Sequence, residues 1–97
     1  MFKAIDVWKR VDDKTLIRYR CFHILSTNRY CVQSADYYKL PIDEKTIKDH
    51  DKQFLELLFE DAPDTRAQTY QTLEEAIVRH DEDFKNFFER YYKKVWK

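Results

Sequence analysis

The chain has 97 residues, of which 43% are hydrophobic and 37% charged, and its 18 basic and 18 acidic side chains give a net charge of zero. This length suits one compact domain over residues 1–97 and leaves no room for a second. Glycine is absent, which excludes the P-loop, the dinucleotide fingerprint and the nucleophile elbow, because each needs backbone geometry that only glycine adopts at little cost.

The charges are segregated along the chain although their sum is zero. Residues 1–40 carry eight basic and four acidic side chains, residues 41–83 carry five and thirteen, and residues 84–97 carry five and one. A patch of one sign steers a partner of the other sign whatever the net charge. The same pattern also arises when the ends of a chain attract its middle within one fold. Both interpretations stay open.

The cysteine content and the hydropathy pattern indicate the cellular setting. Two cysteines, Cys21 and Cys31, are too few for a secreted disulfide scaffold or a zinc-finger framework. No apolar run is long enough for a signal peptide near the start, or for a membrane span anywhere in the sequence. We therefore expect a cytoplasmic protein that binds no cofactor and no membrane.

The first forty residues predict three strands in an antiparallel meander. Residues 2–11, 15–25 and 29–38 have strand character, and polar turns at residues 12–14 and 26–28 separate them. Asn28 is expected to take the left-handed conformation that glycine normally supplies. In the second predicted strand the odd positions carry no full charge and are predicted to form the core face: Ile17, Tyr19, Cys21, His23 and Leu25.

The extended region is predicted to end at Pro41, after which the apolar side chains recur at helical spacing. A helix is predicted over residues 43–60, with Asp43 as its N-cap. Residues 65–70 are the candidate for a fourth strand.

A second helix is predicted after the capping box formed by Thr72 and Glu75. It runs over residues 73–96, either unbroken or with a kink at residues 79–81. The fold class is therefore α+β, a three-stranded or four-stranded antiparallel sheet followed by two helices, in the order βββα(β)α.

Cys21, His23 and Cys31 raise the question of a metal site. With a two-residue loop at residues 27–28, Cys21 would lie opposite Ser34 and Cys31 would point to the other face of the sheet. A three-residue loop would reverse that outcome. Zinc needs four converging ligands, and no fourth ligand is evident, so we expect no metal site.

Two His-Asp dipeptides, at residues 50–51 and 80–81, raise the question of catalysis. Adjacent residues on a helix diverge by about 100°, so neither dipeptide is expected to be a hydrogen-bonded pair. No recognised motif supplies a nucleophile with a base and an orienting group. We therefore expect that the chain is not an enzyme.

The other face of the predicted sheet combines basic and aromatic side chains, namely Trp8, Arg10, Arg18, Arg20 and Phe22. Arginines attract phosphates and exposed rings stack on unpaired bases, so this combination is typical of single-strand binders. It is also common on ordinary solvent-facing sheets, where arginine stems pack on rings.

The second predicted helix carries a long aromatic stripe. A small sheet shared with the first helix cannot bury all of it, so its end is expected to contact another protein chain. The residues of this predicted interface are Phe88, Tyr91, Tyr92, Val95 and Trp96. The sequence thus favours a non-catalytic protein-interaction module, a homodimer with a further protein partner of unknown identity. The alternative is a small protein that binds single-stranded nucleic acid on the basic and aromatic sheet face.

Overall fold

The computed structural model describes the backbone of residues 1–95 and the side chains of residues 1–87. Three strands are followed by three helices: β1 (Phe2–Asp12), β2 (Thr15–Ile24), β3 (Arg29–Lys39), α1 (Glu44–Glu60), α2 (Pro63–Arg66) and α3 (Leu73–Val95). The strands form one antiparallel sheet in the order β1-β2-β3. The predicted α+β class, with a meander before the helices, is confirmed.

The central strand β2 is covered on both faces. Tyr19 and Cys21 point to one face of the sheet, while Arg20 and Phe22 point to the other, and all four side chains are buried. A strand with one face in water would alternate between buried and exposed positions. The pattern in β2 instead shows that helices lie on both sides of the sheet.

Helix α3 covers the face that carries Tyr19 and Cys21. Leu73 and Ile77 of α3 pack against a cluster of buried side chains there. The cluster consists of Ile17, Tyr19, Cys21, Val32 and Ala76. The first three residues of the predicted core face, Ile17, Tyr19 and Cys21, therefore lie in the core as expected.

Helix α1 covers the opposite face. Its Phe54 ring stacks on Phe22 of β2, with ring centroids 5.6 Å apart and planes 9° apart. Ile24 and Cys31 complete the buried cluster, and Leu58 packs against it. The sequence predicted that the two long helices share the surface of a small sheet. In the structure each helix has one face of the sheet to itself.

The turn between β2 and β3 is longer than predicted, with four residues, 25–28, in place of two. Cys21 consequently pairs with Val32 and not with Ser34. A shift of two positions preserves the face to which each side chain points. Cys21 and Cys31 therefore still lie on opposite faces of the sheet, in separate clusters.

Two residues of the predicted core face lie at its margin. His23 is only partly buried, and its ring stacks on Tyr30 at a centroid distance of 4.5 Å. Leu25 belongs to the turn and is exposed, so its placement in the core was wrong. In the same turn Asn28 has φ of 55°, which confirms the left-handed conformation expected of it.

Residues 65–70 do not form the fourth strand. Helix α2 occupies the first part of this stretch, and Tyr70 forms one isolated antiparallel bridge with Tyr30. Pro63 favours the helix because its fixed φ suits the first helical position, where no amide donor is needed. Its ring is buried, and its carbonyl oxygen accepts a hydrogen bond from the Cys31 thiol at 3.8 Å.

Both long helices begin where the sequence predicted. The Asp43 carboxylate accepts a hydrogen bond from the Lys45 amide at 3.0 Å, and the Thr72 hydroxyl accepts one from the Glu75 amide at 3.1 Å. Helix α3 continues without interruption through residues 79–81, as the unbroken alternative predicted. The last residue of the predicted helix, Trp96, lies outside the described residues.

Both thiols should be unreactive in the folded protein. Burial raises the pKa of Cys21 to about 12 and raises the pKa of Cys31 above its ordinary value. Because the thiolate is the nucleophile, a dithionitrobenzoate reagent at mildly alkaline pH should modify neither cysteine in native protein and both in guanidinium chloride. Stoichiometric release of thionitrobenzoate without denaturant would contradict the burial of the two thiols.

Candidate functional site

The five residues of the predicted nucleic-acid face share one side of the sheet but differ in accessibility. Trp8 and Arg10 are exposed, and Arg18 is partly buried. Arg20 and Phe22 are only 4% and 2% exposed. The expectation of an open five-residue face is therefore wrong for its centre, because α1 packs over these two side chains.

Arg20 is a buried cation with two carboxylate partners. Its Nε donates to Asp36 of β3 at 2.7 Å, and its Nη2 donates to Asp51 of α1 at 2.5 Å. The guanidinium carbon also lies 4.9 Å from the centroid of the Phe54 ring. An unpaired charge at this depth would be very unfavourable. These contacts both compensate the buried charge and attach α1 to the sheet.

Arg18 extends the same network toward the open end of the sheet. Its Nη2 donates to Asp6 of β1 at 2.7 Å, and its Nη1 donates to Asp51 at 3.4 Å. Its guanidinium carbon lies 5.2 Å from the centroid of the Trp8 ring. Hydrogen bonding from Arg20 lowers the pKa of Asp51, which stays ionised between two arginines. Part of the segregated charge is thus used inside the fold.

The aspartates of the two His-Asp dipeptides bind to β2. Asp51 accepts from the arginines, and both oxygens of Asp81 lie 3.0 Å from the donating Tyr19 hydroxyl. His80 Nδ1 is 3.9 Å from Asp81, which is too far for a hydrogen bond. Burial, reinforced by Asp81, raises the pKa of Tyr19 to about 12, so the hydroxyl remains a donor. These aspartates hold α1 and α3 against β2.

The residues considered for a metal site are dispersed. Cys21 and Cys31 lie on opposite faces of the sheet, and His23 Nε2 is 2.7 Å from the side-chain oxygen of Asn28. Among the residues that the structure describes, no three His, Cys, Asp or Glu side chains converge closely enough to hold a metal ion.

A groove of about 580 Å³ lies at the end of the sheet, where the β1–β2 turn and the last residues of β3 meet the start of α1. We call it the hairpin groove. Its walls are mainly apolar and include Trp8, Leu16, Tyr38, Leu40, Ile42 and Ile47. The rings of Trp8 and Tyr38 are 5.8 Å apart and inclined by 38°. They form an aromatic surface along one side of the groove.

Sequence reasoning found part of this groove and missed the rest. Trp8, Arg10 and Arg18 of the predicted nucleic-acid face line it. Leu40 and Ile42 were not assigned to a binding surface, although both are exposed. Their position on either side of Pro41, between a strand and a helix cap, could have indicated that they are exposed. Apolar residues in such a connection have no strand or helix face to bury them.

The aromatic stripe of α3 continues beyond its contact with the sheet. Ala76 is buried and Ile77 packs against the core, but every residue of 81–87 is exposed. Phe84 and Phe87 are three positions apart, so they are neighbours on the helix surface, and they are 52% and 68% exposed. The side chains of the predicted interface, Phe88, Tyr91, Tyr92, Val95 and Trp96, lie outside the described residues.

Comparison with protein-family models, with curated proteins and with solved structures finds no match to this chain. None of the described helices is both long enough and apolar enough to cross a membrane.

Arg20→Ala should destabilise the protein by about 3 kcal/mol, because it leaves the largely buried Asp36 carboxylate without its partner. The matched control is Arg10→Ala at an exposed position of the same sheet face, with an expected change within about 0.5 kcal/mol. Urea unfolding followed by circular dichroism measures both. Equal stabilities for the two variants would show that the buried network contributes little.

The contribution of Asp51 should depend on pH. Its pKa is lowered in the folded state, so its stabilisation is present above the unfolded pKa of about 4 and is lost as the pH falls through the folded value. Asp51→Asn should therefore destabilise the protein at neutral pH and much less in acid. Unfolding free energies at both pH values test this, with exposed Asp13→Asn as the control. A pH-independent deficit in Asp51→Asn would contradict it.

Proposed function

We propose that this chain is a non-catalytic, cytoplasmic protein-interaction module that works as a homodimer through the aromatic stripe of α3. The exposure of Phe84 and Phe87 beyond the sheet is the observation that carries the proposal. Large contiguous apolar surfaces are uncommon on monomers and mark sites of association. The stripe continues in the sequence with further aromatic residues at helical spacing, which adds to the apolar surface available for a partner.

The charge pattern of α3 favours a second copy of the same helix as the first partner. Residues 81–83 are all acidic, whereas Lys93, Lys94 and Lys97 follow in the sequence. In an antiparallel crossing the acids of one copy lie opposite the lysines of the other, while a parallel crossing opposes like charges. A two-fold, self-complementary contact is also the commonest arrangement of homo-oligomers.

The remaining charge asymmetry supports recognition of a further protein partner. Arg18 and Arg20 from the basic first segment pair with Asp51 from the acidic middle segment. Most other charged side chains of these segments are exposed. Surfaces of opposed sign orient an approaching protein and exclude partners with the wrong pattern.

Single-strand nucleic-acid binding is the second candidate. Trp8, Arg10 and the accessible part of Arg18 still combine a ring with positive charge at the end of the sheet. The burial of Arg20 and Phe22 removes the centre of that platform. Stacking of successive bases needs a continuous row of exposed rings, so this candidate ranks below association through α3.

The homodimer is tested by light scattering at high micromolar concentration. The unmodified chain should give the mass of a dimer, and a double variant, Phe87→Ser with Tyr92→Ser, should give a monomer with unchanged circular dichroism. Both substitutions remove apolar area from the proposed contact. The control is Phe59→Ser on α1, whose side chain is 90% exposed, and it should leave the dimer intact.

Three results would count against the proposal. A monomeric unmodified chain would show that α3 makes no homodimer. Equal dissociation by Phe59→Ser would indicate nonspecific association of exposed rings. A high ratio of absorbance at 260 to 280 nm in purified protein, abolished by high salt, would favour the nucleic-acid alternative.

A further inference from the structure

The hairpin groove has the size and lining of a small-ligand site. Its volume of about 580 Å³ lies within the range of about 300–1,000 Å³ that is typical of ligand pockets. Leu40 and Ile42 are largely exposed, and they line the groove together with the neighbouring Trp8 and Tyr38 rings. Apolar groups that line a groove gain free energy when an apolar body displaces the water between them.

The acidic residues of the groove are mostly engaged with local backbone amides. Asp12 accepts from the Lys14 amide at 2.8 Å, and this hydrogen bond lowers the pKa of Asp12. Asp43 accepts from the Lys45 amide at the start of α1 and from the Thr46 hydroxyl. These two carboxylates serve the turn and the helix cap.

The basic residues of the groove, by contrast, have spare capacity. Among the described residues, Arg10, Lys14 and Lys39 have no carboxylate within 4 Å of their side-chain nitrogens. Arg18 instead uses its Nη atoms for Asp6 and Asp51.

We propose that the hairpin groove binds a small aromatic anion, a compound with a flat apolar body and one carboxylate or sulfonate group. The body would lie against the Trp8 and Tyr38 rings and the Leu40 and Ile42 side chains. The acidic group would accept a hydrogen bond from Arg10, and Lys14 and Lys39 of the same groove would add positive charge. Charge complementarity selects an anion, and the aromatic surface selects a ring system. None of the described side chains of α3 lines the groove, so this site is distinct from the proposed homodimer contact at Phe87.

The test uses two probes of nearly equal shape, the anionic anilinonaphthalene sulfonate and the neutral N-phenylnaphthylamine. Fluorescence titration of the folded chain should show saturable binding of one molecule of either probe. The anionic probe should bind about tenfold more tightly, as expected for one charge-assisted hydrogen bond. Equilibrium dialysis provides the stoichiometry independently of fluorescence yield.

Matched variants locate the site. Ile42→Ser removes an exposed groove residue and should weaken both probes severalfold, whereas Leu55→Ser, at an exposed position of α1 outside the groove, should weaken neither. Arg10→Gln should remove most of the preference for the anionic probe, with Lys3→Gln as the charge control on the same strand. Phe87→Ser should affect neither probe, which separates this site from the dimer contact.

Several outcomes would overturn the proposal. Absence of saturable binding below millimolar concentration would show that the groove is not a ligand site. Equal affinity for the two probes would refute the selection of an anion. Equal weakening by Ile42→Ser and Leu55→Ser, or by Arg10→Gln and Lys3→Gln, would place the bound probe elsewhere.

Discussion

The position of α1 depends on one buried guanidinium group, that of Arg20. None of the side chains of α1 is fully buried, so apolar burial holds this helix only weakly. The ion pair between Arg20 and Asp51 and the ring contact between Phe22 and Phe54 also attach α1 to the sheet. The pairing is specific, because an arginine that is buried without its carboxylates is much less stable than one that is paired or one that is exposed to water. It therefore specifies where α1 lies as well as stabilising it.

Two neighbours on the central strand organise the whole domain. Tyr19 donates to Asp81 of α3 on one face, and Arg20 donates to Asp51 of α1 on the other. Since successive residues of a strand point to opposite faces, a single dipeptide can position a helix on each side. Polar contacts of this kind add a defined geometry to the two small apolar clusters of a 97-residue chain.

The two proposed functional surfaces follow from this arrangement. Helix α3 is about 34 Å long at 1.5 Å per residue, and Leu73, Ala76 and Ile77 in its first part pack against the sheet, whereas residues 81–87 are exposed. The exposed Phe87 belongs to the surface that we propose contacts another chain. On the opposite face, attachment of α1 at Asp51 brings the start of that helix to the end of the sheet and forms one wall of the hairpin groove. One surface uses α3, and the other uses the strands and α1.

The sequence by itself determined the local elements: three strands, the helix caps at Asp43 and Thr72, and the left-handed Asn28. These depend on contacts within a few residues or on the two-residue period of a strand. Tertiary structure alone decided that Arg20 and Phe22 are buried, that residues 65–70 form no strand, and that a groove exists. The pair of Arg20 and Asp51 spans 31 positions, and a local pattern cannot distinguish an arginine that faces water from one that meets a distant carboxylate.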